Sequence, residues 1–304
     1  MTRPPTTRPG RRTVLAAFSL AAAASLTGCD IRLEKGSPRL PGVATQGPPA
    51  DQTALLRALN TVRSLQAAAT DADGPWAAKL AAAYGVASNR LTQVMSTDGI
   101  TVPTASATPA RTGLTAARLG GLQRATLSPT AYGDAVHATS ANAAMLAALL
   151  AFGAAGATVQ GAAPDWTGET LSAPMSAALL PSVRAALYGM EVIAARTAVR
   201  ARSRAAAGVI TMTAARSRLE LAAGAKAPAA RLVYPLSVQP ATDAARTTLA
   251  SDLLADVVTA CASQLASAPG TSADLRALVH LWSDATALGW RWGVVPTPFP
   301  GLLG

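Results

Sequence analysis

The first helical region of the chain is marked by apolar residues that recur every three or four positions after residue 51. These residues are Leu55, Leu59, Val62 and Leu65. Their spacing places them on one face of an α-helix. Asp51 precedes this face and is a typical N-cap residue, so we predict that the first helix begins there. A second helix is predicted between Pro75 and Gly99. Its apolar face contains Trp76, Leu80, Tyr84, Leu91 and Met95.

Further segments with helical character follow along the rest of the chain. Their predicted bounds are 110–127, 130–157, 175–206, 208–224, 241–267 and 272–291. Proline or hydroxyl residues precede several of them, as is common at helix N-termini. Pro181 lies inside one segment, and we predict that the helix there begins at this proline. Because no stretch alternates apolar and polar residues long enough to indicate a strand, the predicted fold class is all-α.

The most apolar stretch after the N-terminal region is 141–159. It consists mainly of alanine and glycine and contains few leucines. Leucine favours membrane insertion, whereas alanine contributes little. We therefore predict a buried helix of a bundle rather than a membrane span. Its small side chains would allow neighbouring helices to approach closely.

The N-terminal 28 residues have the organisation of a bacterial export signal. Arginines without any acidic residue precede an apolar stretch, 14–26, which is too short for an ordinary membrane span. Arg11 and Arg12 lie directly before this stretch and resemble a twin-arginine export signal. We expect residues 1–28 to be removed as a signal peptide.

The end of this leader, Leu26-Thr27-Gly28-Cys29, resembles a bacterial lipobox. The resemblance implies that the Cys29 sulfur carries a diacylglycerol whose acyl chains, such as palmitate, anchor the protein. We therefore expect a lipid-anchored lipoprotein on the extracytoplasmic face of the cell membrane. The proline-rich residues 29–50 are expected to form a flexible tether. An N-terminal helical segment, 51–165, and a helical domain, 170–304, are predicted to follow.

Composition narrows the classes of function. Alanine accounts for 73 of the 304 residues and charged residues for 14%, which favours closely packed helices over disorder. Two His and two Cys residues exclude a His- or Cys-rich metal site and a disulfide scaffold. Removal of the leader lowers the formal net charge from +10 to +6. An extracytoplasmic location makes nucleic acid an unexpected partner despite this positive charge.

The C-terminal part of the chain, from about Leu179 to Gly304, contains short motifs in a defined order. They are Ala185-Ala186-Leu187 leading to Glu191, the pair Arg216 and Arg218, Tyr234-Pro235-Leu236 before Pro240, Gly289-Trp290-Arg291-Trp292-Gly293, and Pro298-Phe299-Pro300-Gly301. In order and spacing these motifs resemble an actinobacterial family of exported ferritin-like domains of unknown function. The resemblance implies a ferritin-like up-down helical bundle with additional N-terminal helices.

Ferritin-like folds invite the hypothesis of a two-metal site, which uses carboxylates from four helices and Glu-x-x-His pairs. No Glu in this chain is followed by His three positions later. The candidate ligands are Glu191, Asp256, His137 and His280, and Asp134-x-x-His137 is the nearest imitation of the motif. In the family the matching Glu is commonly followed by His, whereas Val192 and Ile193 follow here. We therefore expect no metal site and no cofactor. The alternative, a degenerate metal site, requires at least three of these candidates to converge.

Two groups of residues each allow a functional and a structural interpretation. Arg196, Arg200 and Arg204 are spaced four apart and would share one helical face. This face could bind anions, although a solvated face paired with acidic residues is the favoured interpretation. The C-terminal aromatic residues are Trp282, Trp290, Trp292 and Phe299. They could form an exposed binding cluster, but we favour a tail that folds back and closes one end of the bundle. Cys261 is predicted to be a buried small apolar residue.

No motif for a catalytic nucleophile or a phosphate-binding loop is found in the sequence, and we expect a protein that is not an enzyme. The leading hypothesis is a membrane-anchored helical domain for binding or scaffolding, with an unknown protein or small-molecule ligand. One alternative is a degenerate ferritin-like metal-binding protein. The other is a carrier of a small apolar ligand, since helices rich in alanine and glycine can leave a cavity.

Overall fold

The computed structural model describes residues 49–104, 113–265 and 271–302. Within these ranges the chain forms nine α-helices and no strand. The helices are α1 (Gln52–Thr70), α2 (Ala77–Thr97), α3 (Ala116–Ala125), α4 (Pro129–His137), α5 (Ser140–Val159), α6 (Ala173–Ala195), α7 (Ser203–Ala223), α8 (Asp243–Gln264) and α9 (Ser272–Arg291). The 3-10 turns Val199–Ala201 and Gly224–Lys226 flank α7. The predicted all-α fold class is confirmed.

Several helix boundaries follow from local sequence. A hydroxyl side chain precedes four of the helices and accepts a hydrogen bond from a backbone N–H group of the first turn. These residues are Thr115, Ser128, Thr242 and Thr271. Each such cap typically stabilises a helix by about 1 kcal/mol. At the other end of α7, Gly224 has a φ angle of 51°, which a residue without a side chain adopts most easily.

In the N-terminal group of five helices, α5 packs directly against α3 and α4. Helices α1 and α2 lie along each other, and α3 and α4 pack on both α5 and α1. A single β-bridge joins Ala72, just after α1, to Leu114, just before α3. This arrangement leaves α5 surrounded by other helices rather than by solvent.

The last four helices form a second group that shares its core with the first. Helix α6 packs against α7 and α8, while α9 packs against α8 and, less extensively, α7. Helix α9 also lies along α5 and touches α4. The α5–α9 contact therefore joins the two groups, and residues 48–304 form one compact unit. The fold is an α-helical bundle with one continuous apolar core.

Helix α5 is the most deeply buried helix of the N-terminal group. From Met145 to Ala157 only Leu149 has an intermediate exposure, and every other residue is buried. Among the described residues, α5 and α6 are both long and apolar enough to cross a membrane by length and composition alone. The core helix of a bundle has the same properties, and α5 is mostly covered by protein. Its burial confirms the predicted bundle helix at 141–159.

The single helix predicted at 130–157 is divided into α4 and α5. Ala138 and Thr139 have extended backbone angles and separate the two helices. The cause is distant in sequence: the Asp51 carboxylate accepts hydrogen bonds from the Thr139 backbone N–H at 3.0 Å and from the Thr139 hydroxyl at 2.6 Å. Asp51 makes no side-chain cap for α1, contrary to the prediction. It instead stabilises the beginning of α5.

The predicted helix at 175–206 is also wrong at both ends. Helix α6 begins at Ala173, so Pro181 lies inside the helix rather than at its start. The helix ends at Ala195, and the chain turns before α7 begins at Ser203. Arg202 stabilises this turn, because its guanidinium donates hydrogen bonds to the Thr197 carbonyl at 3.2 and 3.3 Å.

The C-terminal aromatic residues are buried, as predicted. Trp282, Trp290, Trp292 and Phe299 are each at most 3% exposed. Cys261 is completely buried, and burial raises the pKa of its thiol. These side chains therefore contribute to the core and offer no exposed aromatic or thiol surface.

Candidate ligand-binding cavities

A cavity of about 340 Å³ lies between α1, α4 and α5 and is here called the apolar cavity. Its walls consist of alanine, leucine and valine side chains together with three threonines and one serine. On α1, the small residues Ala54 and Ala58 lie one turn apart and face the space, as does Gly153 on α5. Because these positions carry little or no side chain, the packed helices leave room between them. The volume falls within the range of small-molecule sites.

An ion pair marks the partly exposed side of the apolar cavity. The Arg57 guanidinium, on α1, donates two hydrogen bonds to the Asp134 carboxylate on α4, the Nε bond measuring 2.8 Å. The Arg57 side chain is half exposed, whereas Asp134 is mostly buried. Asp134 therefore pairs with α1 instead of forming the Asp-x-x-His imitation noted in the sequence.

At the inner side of the cavity, the lining residue Tyr84 is hydrogen-bonded to a residue behind the wall. The completely buried Gln123 donates a hydrogen bond from Nε2 to the Tyr84 hydroxyl at 2.9 Å. Burial raises the pKa of Tyr84, so this hydroxyl stays neutral. Gly156 lies close beside this pair, and a Cβ atom there would lie 2.2 Å from the Gln123 amide nitrogen and would displace the Gln123 side chain. The cavity thus has largely apolar walls with several hydroxyl groups, and the neutral Tyr84 side chain lies at its inner side.

A second, smaller cavity of about 180 Å³ lies against α7 and α9 and is here called the Glu169 cleft. Glu169 belongs to the connection between α5 and α6. Its side chain is only 6% exposed and forms an ion pair with Arg276 of α9 through Oε1. The other oxygen, Oε2, has no hydrogen-bond partner within the described chain. Burial raises the pKa of Glu169, and the nearby charges of Arg276 and His280 offset only part of this effect.

His280 forms part of the wall of the Glu169 cleft. Its ring stacks on Trp166 with the centroids 4.7 Å apart and the planes 9° from parallel. Its Nε2 atom lies 3.3 Å from the Asp284 carboxylate. Asp284 also faces the Arg218 guanidinium at 3.6 Å, which exceeds the distance of a direct hydrogen bond. The cleft therefore combines a buried carboxylate, an imidazole and a half-exposed guanidinium.

The four candidate metal ligands lie on four different helices. Glu191 on α6 and Asp256 on α8 are exposed to solvent. The His137 ring is also exposed, with Nδ1 2.7 Å from the Gly133 carbonyl oxygen. His280 faces Trp166 and Asp284. Across the described ranges, no three His, Cys, Asp or Glu side chains are grouped as metal ligands, and the convergence required by the metal hypothesis is not found.

The three arginines predicted to share one helical face do not lie on one helix. Arg196 and Arg200 belong to the turn after α6, and Arg204 lies in the first turn of α7. All three are exposed. The Arg204 guanidinium lies over the Trp292 ring, 3.9 Å from its centroid. Anion binding by these three arginines stays an untested alternative to a solvated surface.

The predicted lipid-attachment residue Cys29 and the export arginines Arg11 and Arg12 lie outside the described residues. Two charged residues that line the cavities were not predicted from the sequence. Glu169 was tested only for a His three positions later, and Arg57 was not singled out. No local signal identifies either residue, because their partners Arg276 and Asp134 lie on other helices.

Comparison with known proteins adds no assignment for these cavities, since the chain matches no protein-family model, no curated protein and no solved structure.

Proposed function

We propose that this protein is a membrane-anchored extracytoplasmic lipoprotein whose helical domain binds a small, mainly apolar molecule without transforming it. The single observation that carries the binding role is the apolar cavity of about 340 Å³ between α1, α4 and α5. Alanine, leucine and valine side chains would contact the body of the ligand. The Arg57–Asp134 pair at the partly exposed side and the Tyr84 hydroxyl at the inner side would orient its polar atoms.

The location and the finer fold are parts of the same proposal. The basic leader, the arginine pair and the lipobox at Cys29 support export by the twin-arginine route and attachment by a lipid. The packing of α6 with α7 and α8, and of α9 with α8, is compatible with a ferritin-like arrangement of the C-terminal helices. The described candidate ligands favour a binding role over metal chemistry, because they are spread over four helices.

Filling the apolar cavity is expected to abolish binding of an apolar probe. Ala58→Phe places an aromatic ring in space that is now open, because Ala58 lines the cavity. We expect the affinity for the neutral fluorophore N-phenyl-1-naphthylamine to fall about tenfold or more, since bound probe and ring compete for one volume. The increase in probe fluorescence on titration measures this affinity.

Ala82→Phe is the matched control for this experiment. Ala82 lies on the exposed side of α2, and the same substitution there leaves the cavity unchanged. We expect wild-type affinity for this variant, with circular dichroism verifying that both variants are folded. Equal binding by wild type and Ala58→Phe would contradict the proposal.

Membrane attachment is expected to depend on Cys29. In cells that express the full chain, wild-type protein is expected in the membrane fraction and Cys29→Ser in the soluble extracytoplasmic fraction. The reason is that serine cannot receive the thioether-linked diacylglycerol that holds the protein at the bilayer. Immunoblots of separated fractions measure the distribution, and Cys261→Ser serves as a control. Retention of Cys29→Ser in the membrane fraction after residues 1–28 have been removed, as judged by its size on the immunoblot, would contradict a lipid anchor at this position.

A further inference from the structure

The Glu169 cleft contains an unusual buried carboxylate. The Glu169 side chain is only 6% exposed, yet its Oε2 atom has no hydrogen-bond partner among the described residues. A buried acceptor without a partner costs free energy, and the cost is larger for a charged group. The Tyr132 hydroxyl, which interacts electrostatically with Glu169, is also buried and has no hydrogen-bond partner within the described part of the chain. A hydrogen-bond donor supplied by a ligand would satisfy Oε2.

The charges of the cleft are arranged by depth. The negative Glu169 lies deep, while the Arg218 side chain also lines the cleft and is 41% exposed. Glu169 already faces the positive Arg276, so a ligand carrying only a positive charge would leave the site with excess positive charge. A ligand that brings both an ammonium group for Glu169 and a carboxylate for Arg218 keeps the balance. Arg218 forms an ion pair with Asp284 at 3.6 Å, beyond direct hydrogen-bond distance, so its N–H donors are not committed to Asp284.

The remaining walls of the cleft are mostly apolar, with the hydroxyl residues Thr170 and Ser176 among them. Leu171, Leu219 and Leu281 line it together with several alanines. Its volume of about 180 Å³ exceeds the roughly 150 Å³ of an engineered cavity that holds benzene. The space therefore suits a molecule with a short aliphatic body and two charged groups.

We propose that the Glu169 cleft binds a small zwitterion of the amino-acid class, with its ammonium group on Glu169 and its carboxylate on Arg218. The ammonium group donates a hydrogen bond to Oε2 of Glu169, and the aliphatic body contacts the leucines of the wall. This site is separate from the apolar cavity, and the proposal does not depend on a ligand there.

Isothermal titration calorimetry on the full chain in detergent tests the proposal with matched small molecules. Leucine and 6-aminohexanoate carry both charged groups, at short and long separation. Isoamylamine and hexylamine lack the carboxylate, whereas 4-methylpentanoate and hexanoate lack the ammonium group. We expect one of the two zwitterions to bind at least tenfold more tightly than either of its own singly charged analogues.

Charge-removing variants locate the site. We expect Glu169→Gln to weaken binding of that zwitterion about tenfold or more, because a charge-assisted hydrogen bond is lost. We expect Arg218→Gln to bind the zwitterion no more tightly than the amine that lacks the carboxylate. Because Arg218 is exposed, this substitution is expected to leave the protein folded. Glu191→Gln and Arg196→Gln remove the same charges from exposed positions and are expected to bind as wild type. Thermal unfolding shows whether each variant is folded.

Three outcomes of the ligand series and the charge-removing variants would overturn the proposal. They are absence of binding by both zwitterions at millimolar concentration, equal binding by a zwitterion and its amine, and unchanged binding by folded Arg218→Gln together with folded Glu169→Gln. Ala58→Phe distinguishes this proposal from the apolar-ligand proposal. Because it fills the apolar cavity and leaves the Glu169 cleft intact, we expect it to bind the zwitterion as tightly as wild type. Loss of zwitterion binding in Ala58→Phe would place the ligand in the apolar cavity and overturn the assignment to Glu169.

Discussion

Phe152→Ala is expected to lower the free energy of unfolding by about 3–5 kcal/mol. Phe152 is completely buried on α5 and contacts two aromatic rings from other helices. Its centroid lies 5.0 Å from that of Tyr84 on α2 and 5.3 Å from that of Trp290 on α9, both in edge-on geometry. Truncation would remove contacts that join the N-terminal and C-terminal helix groups and would leave a cavity at their interface.

Urea unfolding followed by circular dichroism measures this loss, with two comparison variants. Phe152→Leu retains most of the apolar volume but loses the ring contacts, and we expect a cost of about 1–2 kcal/mol. Val86→Ala on α2 truncates a half-exposed side chain, and its cost is expected to stay within about 0.5 kcal/mol. If Phe152→Ala costs no more than Val86→Ala, the aromatic contacts do not stabilise the joint between the two groups.

Asp51→Ala is expected to cost about 2–4 kcal/mol of unfolding free energy, because the donors of Thr139 and of the buried Asn142 lose one charged acceptor. Asp51 is 6% exposed and accepts hydrogen bonds from the backbone and hydroxyl of Thr139 and from the Asn142 side chain, the last at 2.8 Å. Without the carboxylate, the first turn of α5 would be left with unsatisfied polar groups. Urea titration at neutral pH measures the difference.

The contribution of Asp51 is expected to depend on pH in acid. Burial raises the pKa of this carboxyl, but the hydrogen bonds from Thr139 and Asn142 outweigh it and lower the pKa below its ordinary value of 3.8. When the pKa of a carboxyl is lower in the folded state than in the unfolded state, the carboxylate stabilises the native protein fully at any pH above the unfolded-state pKa. This stabilisation is lost as the pH falls through the folded-state pKa. The stability difference between wild type and Asp51→Ala is therefore expected to narrow below about pH 4.

Asp256→Ala is the control for both parts of this prediction. Asp256 is exposed on α8, so its removal is expected to change the unfolding free energy by less than about 0.5 kcal/mol. A constant difference between wild type and Asp51→Ala from neutral pH to pH 2 would contradict the proposed role of the charged carboxylate.

The extent of agreement between sequence and structure differs from one helix to another. The first helix was predicted from the spacing of Leu55 and its partners, and α9 was predicted at its observed bounds, 272–291. Both depend on contacts between residues three or four apart and on nearby caps such as Thr271. The division between α4 and α5 was missed because Asp51, which holds Thr139 outside a helix, is 88 residues away.

The candidate sites were less predictable than the helices. An apolar cavity was anticipated in general terms from the abundance of alanine and glycine, but its position depends on how α1, α4 and α5 pack. Glu169 lies in a connection without a recognisable motif and acquires its burial and its ion pair only when α9 covers it. The metal candidates show the opposite case, in which a motif position suggests a site that packing does not form. Glu191 and Asp256 were selected by motif position, but they are exposed on separate helices.

The sequence by itself determined that this chain folds into helices and where most of them begin or end, because apolar periodicity and capping act over three or four residues. It also predicts the leader and the lipid attachment at Cys29 from contiguous motifs. Only the tertiary structure decided which polar groups are buried together and where cavities remain. Arg57 and Asp134, for example, are 77 residues apart, and such pairs and cavities exist only when several helices have packed.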